Sequence, residues 1–425
     1  MSFAIDAELA KRLASLRELG RARIRAVGLE ADRAGQPLPA DHPFFAELLR
    51  LGLGRTRWLG GEDTGQQEEP PQRRAGEPPA SGGERDHRVG GERDHKPGPA
   101  LTGVLISEEL AYWDRGVAVA FPGPGLGEPP LLAMGTPVQK ERFLAPFRTP
   151  DRPRWASFAM TEPGAGSDVA GIRTSARHDG NGWVLNGDKS FAANASRADW
   201  IVVWATVDPT LGRAGHRAFV VERGTPGLGD FKIEKKMGLK AYESTSFTLR
   251  DCRVPDGNLL GGEAHYAAAD GRGARQAGFK GAMQSFNATR PMIGAMAVGI
   301  GRAALDTALA FAREQDRLGD PRVRDRLERI HRKLRAARLL CWRAAWLADA
   351  RRGNVLEASM AKAAAPAAAL EAAVLGMELI GEVGGRGDHL IEKLFRDVKA
   401  MDIVEGTGQI QRVLMARQLV GLPRD

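Results

Sequence analysis

The order of hydrophobic patterns constrains this chain most. Helical periodicity gives way to a β texture from Trp155 to about Gly262, and helical periodicity then returns. A period of 3.6 and a period of 2 bury different faces, so one element type cannot stand in for the other. Residues 3–52 read as helical: Leu9, Leu13, Leu16 and Leu19 recur at helical spacing, and "HPFFAELLRLGLG" predicts a second helix ending at glycine. "LTGVLISEELAYWDRG" resumes the helical pattern. Within the β region, "GWVLNGDKSF" carries an Asn-Gly pair between short runs, which predicts a hairpin turn there. "WIVVWATV" and "RAFVVERG" predict buried strands, and "FTLRDCRVP" alternates until Pro255. From about Gly278 the chain is helical again, including the Ala-rich stretch Ala358 to Leu379. In "PRVRDRLERIHRKLRAARLLCWRAAW" the residues Val323, Leu327, Ile330 and Leu334 form one apolar stripe, leaving the arginines to a solvated or intersubunit face. The reading is an α+β multidomain chain: a helical domain over 1–156, a β domain over 157–264 and a helical domain over 265–425.

From Gly60 to Pro99 almost nothing is apolar, so this insert cannot offset its ordering entropy and is expected to be disordered. Inside it "GGERDHR" is nearly repeated as "GGERDHK", which reads as a slipped duplication rather than a metal site. No metal site is expected elsewhere. The only cysteines, Cys252 and Cys341, support neither a disulfide framework nor a zinc site and fit a reducing cytoplasm. The start "MSFAIDAELAKRL" lacks a signal-peptide layout, and no continuous apolar run is long enough to span a bilayer. A net charge of +8 is scattered arginine without a nucleic-acid motif, so no nucleic-acid partner is expected.

Two stretches carry chemistry. In "IVEGTGQIQRVLMAR", Glu405 stands beside a Gly-Thr pair, where a carboxylate either caps a helix or acts as a general base aimed by the turn at Gly406. "FAMTEPGAGSDVAG", Phe158 to Gly171, is an extended segment entering a Gly-rich loop with Thr161, Ser167 and Asp168, whose amides and hydroxyls can cradle an electron-rich ligand edge.

The second stretch resembles the first signature of the acyl-CoA dehydrogenase family almost letter for letter. The resemblance continues through "LISEELAY", "QKERFLAPF", "VLNGDKSFAANASRADW", "KMGLKAYESTSFTLRDCRVP", "GFKGAMQSFNATRPMIGAMAVGIGRAALD" and "GEVGGRGDHLIEKLFRDVKAMDIVEGTGQIQRVLMAR", in register from Leu101 to Leu422. It is nearest in character to the family's medium-chain members. It implies a helical N-terminal domain, a middle β-barrel-like domain and a C-terminal four-helix bundle, assembled as a homotetramer (with a homodimer or heteromer as the other arrangements) around FAD.

The resemblance also implies roles residue by residue. Glu405 takes the place of the base that removes the α-proton of an acyl thioester while the flavin accepts the β-hydride. Asn287, Ala288 and Thr289 bring no carboxylate to the earlier helix, where some relatives keep the base. Phe158, Met160 and Thr161 match residues lining the flavin, and Gly166 and Ser167 match the loop that touches flavin and CoA phosphates. Asn287, Arg290 and Gly406 fall on the substrate side; Thr407 and Gln409 lie beside the adenine half. Phe191 stands where the family usually has Trp, and Ala193 where a hydroxyl residue sits near N5. Gln315 replaces an arginine offered to the pyrophosphate by a neighbouring subunit, with Arg317 two residues on to compensate. Gly381, near Gly385, replaces a glutamine.

The activity implied is oxidation of an acyl-CoA or acyl-carrier-protein thioester to its 2,3-enoyl form, with electrons passed to an electron-transfer flavoprotein. The alternatives are a non-redox acyl-thioester enzyme using Glu405 for enolisation, dehydration or hydrolysis, and a catalytically silent subunit of a heteromeric dehydrogenase. Flavin-dependent oxygenation is disfavoured by the intact Glu-Gly-Thr triplet.

Overall fold

The computed structural model describes residues 5–53, 97–267 and 277–421. The expected insert lies outside the described residues up to 96, while at its expected end Gly98 is already the N-cap of a helix that begins at Pro99.

Three helices open the fold: α1 (Ala7–Leu19), α2 (Arg25–Ala34) and α3 (Pro43–Arg50). Asp6 caps α1 by accepting from the Leu9 amide at 2.8 Å, and of the expected stripe Leu9, Leu13 and Leu16 are buried and Leu19 is half-buried. A single π turn at Gly20–Ile24 joins α1 to α2. Gly20 is required there, because a Cβ would lie 2.1 Å from the Trp113 ring. The next helix, α4 (Pro99–Ala120), is buried along most of its length. Its first free amides, Ala100 and Leu101, donate to the Asp349 carboxylate at 2.8 and 3.0 Å. The helix breaks at Asp114 (φ −166°, ψ 114°), whose Oδ1 accepts from the Val117 amide at 2.8 Å and restarts it. Two short helices follow, α5 (Glu128–Met134) and α6 (Pro137–Leu144), the latter held by a reciprocal Thr136–Gln139 capping box.

The middle of the chain forms one curled sheet of seven strands: β1 (Ala156–Ala159), β2 (Ser175–His178), β3 (Trp183–Ala193), β4 (Trp200–Thr206), β5 (His216–Glu222), β6 (Leu228–Ile233) and β7 (Ser244–Val254). The order is β1-β4-β2-β3-β7-β6, with β5 on β4. The apolar runs expected to be buried strands are β4 and β5, and every residue of β4 is buried. The expected Asn-Gly turn is not a turn. Asn186 and Gly187 lie inside β3, and the hairpin closes at Asp179–Gly182, where Asp179 N–H donates to the Gly182 carbonyl at 3.0 Å. Gly187 instead takes φ 153° at a bulge and passes so close to Thr174 that a Cβ would meet its Oγ1 at 2.5 Å. Asn186 exchanges hydrogen bonds with Asp251 across the sheet, at 2.8 and 3.1 Å.

Helix α7 (Gly262–Ala267) ends the sheet region, and α8 (Ala277–Glu314), α9 (Pro321–Asp349), α10 (Val355–Ile380) and α11 (Leu390–Ile403) pack as a bundle, followed by α12 (Gly408–Val420). The stripe Val323, Leu327, Ile330 and Leu334 is buried, as its spacing predicts. Alanines of α10 let the helices approach closely, and Gly299 of α8 sits where a Cβ would be 2.3 Å from the Glu108 carbonyl of α4. Glu108 itself is buried and accepts from Arg302 at 2.8 Å and Arg338 at 3.0 Å, tying α4 to α8 and α9. The N-terminal helices and the bundle therefore share one core. By length and composition alone, Phe286–Glu314 and α10 are apolar enough to cross a membrane; in the fold more than half of each window is buried among the other helices.

Candidate active site

The end of β1 meets the start of the bundle. Phe158 of β1 packs on Trp204 (ring centroids 4.8 Å apart) and on Phe286 of α8 (5.7 Å). Met160, two residues on, is buried, and Thr161 is half-buried with its carbonyl accepting from the Ser190 amide. The Gly-rich loop that follows is anchored from beneath by Glu162 and Lys189, a pair that motif reading did not single out. Glu162 accepts from the amides of Arg173 (2.6 Å) and Thr174 (2.9 Å) and from the Lys189 ammonium (2.8 Å). Lys189 also donates to the Met160 carbonyl at 3.2 Å. Burial pushes the Lys189 ammonium down to about 8, against the pull of Glu162. Burial acts to raise Glu162, and the Lys189 charge and hydrogen bonds overcome it, holding the carboxyl below its ordinary value. Lys189 is the more enclosed partner, so desolvation weighs more on it.

Above this anchor the loop is open. Gly166 and Ser167 are exposed, and a Cβ at Gly164 or Gly166 would meet nothing within 4 Å. Phe191, at the bulge of β3, takes φ 59° and is 67% exposed, an unusual placing for a large aromatic ring. Ala193 is half-buried beside it, its carbonyl accepting from the Ser157 hydroxyl at 2.8 Å.

Across the seam, Glu405 occupies the turn between α11 and α12 with φ 56°, in the left-handed region that L-residues seldom adopt. It does not cap α12. That task falls to Thr407, whose Oγ1 accepts from the Ile410 amide at 3.4 Å. Gly406 follows at φ 95°, with its carbonyl accepting from the buried Gln411 amide group at 3.2 Å. The Glu405 carboxylate instead accepts a hydrogen bond from the Thr289 hydroxyl of α8. Although Glu405 keeps intermediate exposure as a residue, its carboxyl end is packed deeply enough that burial lifts it above its ordinary value. The Thr289 hydrogen bond and the charges of Arg290, Arg115 and Lys362 work in the opposite direction. Arg290 is buried, donates to Asn287 at 3.0 Å, lies over the Phe286 ring, and leaves its Nε unpartnered. Lys362 of α10 is fully buried and donates to the Asp402 carbonyl at 3.2 Å, just ahead of the Glu405 turn; burial pushes its ammonium down to about 8.

The structure thus joins Phe158, Asn287, Arg290, Glu405 and Gly406 through Phe286 and Thr289. The other expected ligands are exposed: Gln315 and Arg317 after α8, Gly381 and Gly385 after α10, and Gln409 in the first turn of α12. Thr289, Arg115, Lys362, Glu162 and Lys189 complete the site, and none is marked by a local motif strong enough to find it. Two surface hollows, one bounded by Ser196, Arg223 and Phe231 and the other by His178, Trp183 and Asn186, include none of the expected site residues.

The residues present fit a bound flavin. An exposed Phe191 ring offers apolar cover for a planar aromatic, and the glycine loop leaves room at Gly164 and Gly166 for a polar ligand edge to approach the main chain. A helical bundle and a curled sheet therefore meet at a seam that holds a buried carboxyl. Residues 157–252 match the middle domain of acyl-CoA dehydrogenase and residues 276–420 its C-terminal domain. The mitochondrial short-chain specific acyl-CoA dehydrogenase of Bos taurus is 37% identical over 296 residues, covering 68% of each chain. The chain belongs to the acyl-CoA dehydrogenase family. Among solved structures, the butyryl-CoA dehydrogenase of Megasphaera elsdenii is 27% identical with a TM-score of 0.80, covering 99% of this chain and 100% of its own. The prolyl acyl carrier protein oxidase AnaB is 25% identical with a TM-score of 0.80, covering 99% and 100%.

Proposed function

We propose that this protein dehydrogenates an acyl thioester between its α and β carbons, giving the 2,3-enoyl thioester, with Glu405 as the α-proton base. The observation that carries the reading is that Glu405, freed from capping α12, holds a burial-lifted carboxyl on the seam with the open aromatic face of β1 and β3. An α-proton beside a thioester is too weakly acidic for an ordinary exposed carboxylate. A carboxylate with raised basicity is better matched to it. The enolate oxygen that develops needs fixed donors, and the Glu405 main-chain amide is the donor the family resemblance supplies. Bound FAD supplies a two-electron acceptor for the β-hydride. Phe158, Met160, Thr161 and Phe191 would line its ring, Gly166 and Ser167 would form the loop that touches flavin and CoA phosphates, and Thr407 and Gln409 would lie beside its adenine half. Electrons leave to an electron-transfer flavoprotein, the acceptor that goes with the family.

A homotetramer is supported by apolar side chains left exposed on α9 and α12, among them Leu339, Val413, Leu419 and Val420. Residence in the cytoplasm is supported by two free, buried cysteines. Both CoA and carrier-protein esters suit the basic surface.

The test is a visible spectrum of the isolated protein, followed by anaerobic addition of acyl-CoAs of graded length. Yellow protein that bleaches supports the dehydrogenase. Colourless protein that exchanges the substrate α-proton with deuterated water replaces it with the non-redox reading, and colourless inert protein with the silent subunit. Ala193, Gln315 and Gly381, which lack the family's usual cofactor contacts, make those two outcomes worth distinguishing.

A further inference from the structure

Lys362 stands in the Ala-rich run of α10 and is fully buried. Among the described residues Lys189, Lys362 and Lys393 are the buried lysines, and the other two each touch a carboxylate. Lys189 meets Glu162 at 2.8 Å, and Lys393 meets Asp114 at 2.6 Å and Asp397 at 2.5 Å. Lys362 has no such contact within the described residues; its ammonium donates to one main-chain carbonyl, that of Asp402, at 3.2 Å. Taking an ammonium out of water is costly, and a single neutral carbonyl offsets little of that, so the charge must be answered from further off. Two features answer it. The Asp402 carbonyl belongs to the last turn of α11, where a helix leaves its final carbonyls without an internal partner and its dipole is negative. Beyond it stands the Glu405 carboxyl, near enough for the two charges to act on each other.

The charged surroundings can be named from every side. Asp402 from α11 and Glu405 from the turn favour the Lys362 ammonium, while Arg290 from α8 opposes it. The Glu405 carboxyl is faced by the Thr289 hydroxyl and Arg290 from α8, by Arg115 from α4 and by Lys362 from α10. The Asp402 carboxylate lies against the start of α12, where a Cβ at Gly408 would meet its Oδ1 at 2.4 Å and Arg412 Nη1 at 3.1 Å. The turn itself needs holding at both ends. Glu405 (φ 56°) and Gly406 (φ 95°) are consecutive left-handed residues, a conformation that a glutamate keeps only when its neighbours are fixed. Gln411 fixes the far end through the Gly406 carbonyl at 3.2 Å, and Lys362 fixes the near end through Asp402.

We propose that Lys362 is a positioning residue for Glu405: it pins the end of α11 from which the Glu405 turn departs, and its ammonium is the counter-charge that the carboxylate faces from α10. A neutral donor holds a carbonyl equally well, but only a cation also acts on the carboxylate. The inference rests on the thioester reading and deepens it, because it names a group on a further helix that keeps the base charged.

The experiment is a pH titration of the holoenzyme carrying ¹³C at glutamate Cδ and lysine Cε, read by solid-state NMR. The Glu405 signal is the one missing from Glu405→Gln, and the Lys362 signal the one missing from Lys362→Arg. Lys362→Met keeps the buried stem without its charge. There the Glu405 midpoint is expected to move to higher pH by about tenfold or more in proton concentration, while Lys362→Arg keeps it within about threefold. Coupling is reciprocal, so in Glu405→Gln the Lys362 midpoint is expected to move to lower pH by about the same factor. That second reading stands even where Lys362→Met does not fold. An unmoved Glu405 midpoint in Lys362→Met, or an unmoved Lys362 midpoint in Glu405→Gln, overturns the inference. So does an equal shift in Lys362→Met and Lys362→Arg, which marks lost packing rather than lost charge. Kinetics test the base assignment separately: the acid-side limb of kcat/KM is expected to follow the Glu405 midpoint in Lys362→Met. A midpoint that moves under an unmoved limb upholds the positioning role and overturns the base assignment, so the two failures are distinguishable.

Discussion

The Thr289 hydroxyl of α8 donates to Oε2 of Glu405, a residue 116 positions further along on the turn before α12. That hydrogen bond sets the direction in which the carboxylate faces and stabilises its charged form, against burial, which favours the neutral form. The balance between the two governs the pH at which Glu405 can accept a proton.

Glu405→Gln removes the proposed base while keeping the shape. Flavin content is expected to stay at the unsubstituted level, and the rate of anaerobic bleaching to fall by roughly 10³-fold, within the usual range for a general base. Stopped-flow absorbance reads both. Turnover near the original rate would move the base elsewhere.

Thr289→Val removes a donor from the carboxylate, so the Glu405 carboxyl rises further. The rate at neutral pH is expected to drop by about tenfold, with recovery on moving to alkaline solution, because a hydrogen bond to a charged group is worth roughly 1.5 kcal/mol or more. The shift of the acid-side limb of a kcat/KM pH profile toward higher pH is the measurement. A profile that falls uniformly without shifting contradicts this role.

Glu128 gives a pH dependence of stability. It sits buried at the start of α5, and burial alone pushes its carboxyl from 4.5 up to about 8. A carboxyl raised in the folded state costs nothing below its unfolded value, where both states are protonated. The cost grows as pH rises from about 4.5 to about 8 and then levels off. Glu128→Gln is therefore expected to raise Tm at pH 8, by an amount on the order of 2–4 kcal/mol in stability, and to change little at pH 4. Calorimetric scans at the two pH values decide it; an equal effect at both rules out titration as the cause.

Breaking the Glu162–Lys189 pair is expected to harm both fold and cofactor. Glu162→Gln strands a buried ammonium and should cost about 3–5 kcal/mol, with loss of FAD on gel filtration as the Gly-rich loop loosens. Changing both residues, Glu162→Gln with Lys189→Met, is expected to recover most of the Tm, since no buried charge is then left alone. If the double variant is no more stable than Glu162→Gln, the pair is not the source of the stability.

Local pattern determined the succession of helices, sheet and helices, the buried stripe from Val323 to Leu334, the buried runs of β4 and β5, and the two motifs that hold Phe158 and Glu405. Those signals are short-range: periodicity reports which face of a segment is buried, and a motif reports which chemistry a loop can offer. β6 escaped because most of its residues are exposed, so no face of it is marked as buried. Asn186-Gly187 misled for a related reason. The dipeptide permits a turn, and only the close passage of Thr174 and the bonds to Asp251 kept it inside a strand. Whether Glu405 caps its helix was decided by packing: α12 took Thr407 as its cap, and α4, α8 and α10 brought Arg115, Thr289, Arg290 and Lys362 around the Glu405 carboxyl. Charges that meet across hundreds of residues leave no spacing to read, and burial, which sets their strength, exists only once the helices have docked.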